Sequence, residues 1–340
     1  MDKIQLTARD EKEVEALCLN ILNKTGVPDE EAAIIANSLI DAEKRGVHSH
    51  GLVCLPRYVG LMRQGVMRRS MQFEVRRNGS SVQVWDGLRS NAQVLGYRAM
   101  ENAMEMAEKE GIGIVAVKSS NHFGAGAYYA QKALERDMIG IVLSTGSPTM
   151  APWGGAERMI GNNPVSVAIP AREQKPLVLD MAQSVVAFGR ITNMQKQGAE
   201  MIPGGWALDS EGAETQNAGE VYSVLPLGQY KGFGMALIVD VLSGILFGGA
   251  TGARADDRID GPSQLFAALK VDSFGDKETC FREVDKRIQE LKQSKLAKNS
   301  KGIYMPGEIE YINKEKSKDR VECLPEVYAE LEQLLEELTR

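Results

Sequence analysis

Apolar positions recur with helical period from the start of the chain. Val14, Leu17, Cys18, Ile21 and Leu22 fall on one face, and Gly26 follows as a stop. Pro28-Asp29-Glu30-Glu31 opens a second helix, because proline and acids suit a first turn. Its stripe holds Ala32, Ile35, Ala36, Leu39 and Ile40. A third helix is predicted from about Cys54 to Arg63, ending near Gly65. These amphipathic segments predict a helical lobe over residues 1–70.

The texture changes after Met71. Phe73-Glu74-Val75-Arg76 and Val82-Gln83-Val84-Trp85 alternate around Asn78-Gly79 and predict a β-hairpin. A helix from about Ala92 to Lys109 leads to the apolar run Ile112 to Val117, a buried strand. A helix from about Ala125 to Arg136 and a strand from Ile139 to Thr145 follow, then strands at Val165 to Ile169 and Leu177 to Leu179, with a helix from near Gln183. The stretch from Gly204 to Glu220 reads as irregular. Met235 to Phe247 is apolar on every side, which predicts a buried helix. Gly248 to Gly261, rich in Gly, Asp and Arg, is a candidate mobile lid. Leu265 to Val271 reads as a strand, Glu278 to Lys295 as a charged helix and Pro325 to Leu338 as a final helix. Strands alternating with helices, led by a hairpin, predict an α/β fold with a mixed sheet across residues 71–311. The C-terminal helix of 312–340 is expected to join the helical lobe.

Composition narrows the class. The 340 residues exceed what one core normally fills. A net charge of −6 without a basic stripe argues against nucleic acid as a partner. No apolar run is taken to reach the ~18–20 residues of a membrane span. The acidic, amphipathic N-terminus is unlike a signal peptide, so a cytoplasmic protein is expected. Cys18, Cys54, Cys280 and Cys323 are widely separated, with no C-x-x-C or zinc-like spacing, which predicts reduced thiols and no metal.

Candidate chemistry gathers in two short segments. All three histidines lie in Gly46-Val47-His48-Ser49-His50-Gly51 and Ser120-Asn121-His122-Phe123-Gly124-Ala125-Gly126. Histidine exchanges protons near neutral pH. His122 follows a predicted strand and precedes a helix, at the edge where open α/β sheets present ligands. Helix N-terminal amides favour its neutral form, which can accept a proton from an alcohol; its plainer role is to cap that helix. Arg57 suits a two-bonded grip on a carboxylate, or is an ordinary surface arginine. Asp180 ends an apolar strand, where it can accept from ribose hydroxyls or cap the next helix. Lys231, ahead of the apolar helix, can meet a phosphate or a substrate oxygen, although a lone lysine there is commonly solvated. Gly111-Ile112-Gly113, Gly124-Ala125-Gly126 and Gly232-Phe233-Gly234 all fail the dinucleotide fingerprint, and there is no P-loop.

Eight segments occur in a telling order. They are Gly46 to Gly51 with Pro56-Arg57-Tyr58, Ser120 to Gly124, Pro152-Trp153-Gly154-Gly155, and Gly161 with Asn163-Pro164. Asp180-Met181-Ala182, Gly205-Trp206-Ala207-Leu208-Asp209, Tyr230-Lys231-Gly232-Phe233-Gly234 and Pro306-Gly307-Glu308 complete them. Together they resemble the malate/L-lactate dehydrogenase family of non-Rossmann type, which includes ureidoglycolate and sulfolactate dehydrogenases and 2,3-diketogulonate reductase. The resemblance implies a homodimer whose α/β lobe binds NAD or NADP without the glycine fingerprint. It implies cofactor contacts at Thr145, Gly146, Asp180, Met181, Ala182, Lys231, Gly307 and Glu308, and substrate contacts at Arg57, Ser49 and Asn121. It implies catalysis by a histidine that matches His122 in some members and His50 in others; His122 is favoured as acid/base, with His50 close to the nicotinamide and substrate.

Two departures stand out. Cys54 occupies the place of an arginine found in many members, which removes a carboxylate anchor and counts against strongly acidic substrates unless Arg57 compensates. Ser144-Thr145-Gly146 replaces Thr-Asn-Ser, leaving a backbone amide or Thr145 to take over a lost serine contact. The function implied is interconversion of a small 2-hydroxy acid and its 2-oxo acid. The alternatives are reduction of a cyclic imine carboxylate and a non-catalytic nucleotide-binding protein of the same fold.

Overall fold

The computed structural model describes residues 6–196 and 198–340. The chain begins with β1 (Thr7–Asp10), α1 (Glu11–Thr25), α2 (Asp29–Lys44) and α3 (Leu55–Arg63). Next come β2 (Glu74–Asn78), β3 (Val82–Asp86), α4 (Ala92–Glu110), β4 (Ile112–Lys118), α5 (Gly126–Lys132) and β5 (Met138–Ser144). A middle section follows: β6 (Pro148–Met150), β7 (Ile160–Gly161), β8 (Val165–Ile169), β9 (Leu177–Met181), α6 (Phe188–Lys196), β10 (Ala207–Leu208), β11 (Glu214–Thr215), β12 (Ser223–Val224) and α7 (Tyr230–Ser243). The chain closes with β13 (Gln264–Lys270), α8 (Lys277–Lys292), α9 (Glu308–Ser317), β14 (Arg320–Cys323) and α10 (Pro325–Thr339).

The main sheet has seven strands in the order β2-β3-β4-β13-β5-β8-β9. It is mixed: β3 and β4 run parallel, and the other neighbours are antiparallel. Helices α4 and α5 pack on it so closely that two strand positions admit only glycine. A Cβ at Gly113 would lie 2.0 Å from the Ala103 carbonyl oxygen of α4, and one at Gly140 would lie 2.1 Å from that of Ala130 of α5.

Buried side chains form separate clusters. One joins Val14, Ile21, Ile35, Leu39, Leu55 and Tyr58 of α1–α3 to Val327 and Leu331 of α10, and β1 pairs with β14 at its edge. A second lies between the main sheet and its helices, around Met100, Phe123, Tyr129 and Phe266. A third, around Met150, Ile191, Ala207 and Val224, backs a five-stranded sheet ordered β11-β10-β12-β6-β7.

Several expectations change. Residues 312–340 are not one helix but the end of α9, the strand β14 and α10. The helix placed near Gln183 begins at Phe188, because the Gln183 and Val185 amides bond to Asn162 O and Leu225 O and keep that stretch extended. The polar stretch from Gly204 carries β10 and β11, which alternation too short to register does not reveal. Gly248 to Gly261 is tied down: the Ala250 amide donates to Ser263 Oγ at 3.0 Å, the Gly261 amide to Asp256 O at 2.9 Å, and Asp257 is buried.

The largest correction concerns α7. Ala236, Val239, Asp240 and Ser243 face the protein, but Ile238 is 53% exposed and Leu246, in the turn just beyond, 68%. Tyr230–Phe247 is also an 18-residue apolar helical stretch, long enough by length and composition to cross a membrane, contrary to the expectation that no run reaches that length. Its buried side is polar at the centre: Asn163 Nδ2 donates to Asp240 Oδ1 at 2.7 Å and to Ala236 O at 2.8 Å.

Gly113→Ala tests the close approach of α4. The contact is with backbone, so the helix must shift, and destabilisation of about 1–3 kcal/mol is expected in denaturant unfolding. An unchanged midpoint contradicts this packing.

Candidate active site

The two histidine segments meet where the first and second clusters adjoin. His50 ends a short 3-10 turn, His48–His50, that follows α2. Glu43 of α2, almost fully buried, shapes this turn: its Oε1 accepts the Leu52 amide at 2.8 Å and its Oε2 the His48 Nδ1–H at 2.5 Å. His48 is thereby given a structural partner. His122 follows β4 through Ser119, whose φ of +52° turns the chain away from the sheet. The Arg89 side chain donates to Ser120 O at 3.2 Å and Gln264 Nε2 to Asn121 O at 3.1 Å, which holds that turn.

The two imidazoles stack with centroids 5.6 Å apart and planes 27° from parallel. Each is anchored through Nδ1: His50 is hydrogen-bonded to Ser49 Oγ at 2.8 Å, and His122 to the Tyr58 hydroxyl at 2.8 Å. Nε2 of either ring has no hydrogen-bond partner among the described residues, so it is the nitrogen offered for chemistry. The His122 backbone amide donates to Asp257 Oδ1 at 2.9 Å, and the other oxygen of that carboxylate pairs with Arg57. Arg57, Ser49, His50 and His122 are thus brought together as expected.

Burial depresses the His122 pKa well below its ordinary 6.5, and the charges of His50 and Arg57 act in the same direction. Burial also depresses that of His50, against the pull of Asp180. Both rings are therefore neutral at neutral pH.

Asp180 lies in β9 and caps a helix other than the one that follows it. Its Oδ2 accepts the Ala127 amide in the first turn of α5 at 3.0 Å, and its Oδ1 accepts from Ser166 Oγ at 2.7 Å. Crowding by surrounding protein raises its pKa, although solvent reaches it; the Ser166 and Ala127 donors oppose the rise. It lines a cavity of about 270 Å³ with Ala125, Arg45, Gly307 and Glu310.

Other expected contacts are not brought there by their side chains. Asn121 is fully buried and its Nδ2 donates to the Arg89 and Ser90 carbonyls, so it braces the loop, while its Oδ1 has no hydrogen-bond partner among the described residues. Thr145 is buried, and its hydroxyl oxygen accepts the Ser263 amide at 2.9 Å. The Gly146 amide donates to Asn163 Oδ1 at 3.1 Å, so neither substitute for the lost serine is unoccupied. Glu308 closes its own turn by accepting the Met305 amide at 2.9 Å and pairs with Lys292 at 2.5 Å; Glu310 is the acid at the cavity. Lys231 is exposed and makes no ion pair among the described residues. Its neighbour Gly232 abuts Gln183, which directly follows Met181 and Ala182.

Tyr58, Glu43 and Asp257 were missed. Tyr58 had a usable signal, since it stands eight residues after His50 on the apolar face of a predicted helix. Asp257 had none, because it meets Arg57 across 200 residues of chain.

Paired neutral imidazoles beside a guanidinium are groups able to exchange a proton with an anionic molecule and to hold it. Residues 10–332 match the malate/L-lactate dehydrogenase family. A malate dehydrogenase of Pyrococcus abyssi is 39% identical over 316 residues, covering 89% of this chain and 87% of that protein. A ureidoglycolate dehydrogenase (NAD(+)) of Escherichia coli K12 is 30% identical, covering 91% and 90%. The solved sulfolactate dehydrogenase of Methanocaldococcus jannaschii superposes with a TM-score of 0.90 at 34% identity, covering 98% of both chains. The chain belongs to the malate/L-lactate dehydrogenase family, as its ordered motifs imply, and that family oxidises 2-hydroxy acids with NAD(P).

The depressed His122 pKa fixes a pH response. A His122 that takes the substrate proton must be neutral, so in that role kcat/KM for the alcohol should be level above pH 6.5 as far as His122 governs it, and fall only on the acid side. The unfolded chain takes up this proton before the folded one, so His122 also makes stability fall as pH drops below 6.5. An inflection from His122 above that value contradicts the burial argument.

Proposed function

We propose that this protein interconverts a small 2-hydroxy acid and its 2-oxo acid, with His122 as acid/base and Arg57 as the carboxylate anchor. The observation that carries the reading is the pair of stacked imidazoles, each bonded at Nδ1, with Arg57 held beside the His122 backbone by Asp257. To accept a proton at Nε2, His122 keeps its hydrogen on Nδ1 and donates it to the Tyr58 oxygen. The substrate hydroxyl then gives its proton to Nε2; in the reverse direction the imidazolium returns it to the forming alkoxide. Arg57 orients the carboxylate, and His50 stacks against His122 with Ser49 fixing its ring.

NAD or NADP, when bound, supplies the acceptor or donor of the α-hydride. The residues present fit such a group: the cavity beside Asp180 offers a carboxylate with lone pairs to spare and the backbone around Gly307. Asp180, Met181, Ala182, Gly307 and the Lys231 ammonium would hold it. Relatives at 30% identity or more are named for hydroxy acids, which favours this reaction over reduction of a cyclic imine.

The exposed face of α7 supports a homodimer. Met235, Ile238, Leu242, Ile245 and Leu246 form an apolar surface that water would otherwise cover.

His122→Ala should lower kcat by about 10²–10⁴-fold while leaving dinucleotide binding intact. This is measured at 340 nm with a panel of 2-oxo acids and by NAD(P)H fluorescence. Binding without turnover in the unaltered protein would instead favour the non-catalytic reading. For assembly, Ile238→Glu with Leu246→Glu should convert dimers to monomers in sedimentation velocity. An unaltered protein that sediments as a monomer refutes the dimer.

A further inference from the structure

Arg57 is not an unopposed cation. Its guanidinium pairs with Asp257, whose other oxygen is fixed by the His122 amide at 2.9 Å. Asp257 is 2% exposed, whereas the Arg57 side chain is 49% exposed. The remaining guanidinium donors are thus open to solvent, and one carboxylate can still be gripped by two of them. Two neighbours that could add a cation do not offer a free one. Position 54 carries a buried neutral thiol, pushed up to about 11 by burial, which donates to Ser49 O at 3.5 Å. Arg89 is committed to Ser120 O at 3.2 Å and has Asp256, Asp257 and Asp260 around it. On the other side of the stacked rings, Asp180 adds another carboxylate.

We propose that Asp257 is a specificity-determining residue: by neutralising Arg57 it confines the site to 2-hydroxy and 2-oxo acids that carry one carboxylate and an uncharged remainder. This rests on Arg57 being the carboxylate anchor. A first carboxylate meets a guanidinium whose charge is already balanced, yet gains directed hydrogen bonds. A second anionic group on the substrate finds position 54 neutral and Arg89 surrounded by carboxylates, and lies near Asp257 itself; like charges brought together in a partly desolvated cleft repel strongly.

Equilibrium binding tests the proposal without turnover. Oxamate, with one charge, and tartronate, with two, are titrated calorimetrically into protein saturated with NADH or NADPH, whichever it binds. The unaltered protein should bind oxamate more tightly. Asp257→Asn keeps an oxygen for the His122 amide but removes the charge, and should move the oxamate-to-tartronate ratio toward tartronate by about tenfold or more. Cys54→Arg should move it the same way, and serves should the first variant not fold. Preference of the unaltered protein for tartronate overturns the proposal, as does a ratio unmoved by these substitutions or the failure of both anions to bind. Turnover of pyruvate and oxaloacetate is measured alongside. If neither reacts while the binding ratio moves as expected, the dehydrogenase reading fails and the role of Asp257 stands.

Discussion

The contact between the His48–His50 turn and the His122 loop is the one on which the chemistry depends, because it brings together imidazoles that belong to different cores. His50 hangs from the cluster built by α1–α3 and α10, through the buried Leu52, Cys54 and Tyr58. His122 is followed by Phe123, which packs with Tyr129 and Phe266 in the cluster under the main sheet. Neither core alone makes the stacked pair. Tyr58 crosses between them, standing in the first cluster while its hydroxyl reaches His122 in the second. Asp257 crosses in the other direction, joining the His122 amide to Arg57 of α3.

Burial then sets the protonation state. A histidine in water is close to half charged near pH 6.5, but removing the ring from solvent penalises the cation. Here the neighbouring ring and Arg57 increase that penalty at His122. The anchoring of both rings through Nδ1 supplies direction as well, since it leaves one defined nitrogen on each. Protonation state and orientation thus have separate structural causes.

Much of this was legible from residue order. The long elements with strong period, such as α1, α2, α4 and β4, lie where their apolar spacing predicts, because local pattern and burial agree there. The clustering of three histidines in two small-residue segments pointed to the site. What escaped had physical reasons. Two-residue strands such as β10 and β11 are too short to show alternation. The burial of α7 was misjudged because hydrophobicity reports that a surface avoids water, not which molecule covers it. The Asn121 amide nitrogen and the Thr145 hydroxyl are matched to buried backbone far along the chain, which no local motif shows. Asp257 shows the limit most plainly, since a pairing over such chain separation leaves no trace in local spacing.

The glycine contacts at Gly113 and Gly140 bear on how each imidazole is held in place. With backbone pressed against backbone, α4, α5 and the strands beneath them form a slab without room for internal sliding, and His122 is rooted in it. The His48–His50 turn is footed on one side chain instead: Glu43 bonds to His48 and to the Leu52 amide, and a Cβ at Gly51 would lie 2.3 Å from its Oε1. The two imidazoles are thus held by unlike means, one by backbone pressed on backbone and the other by a single buried carboxylate.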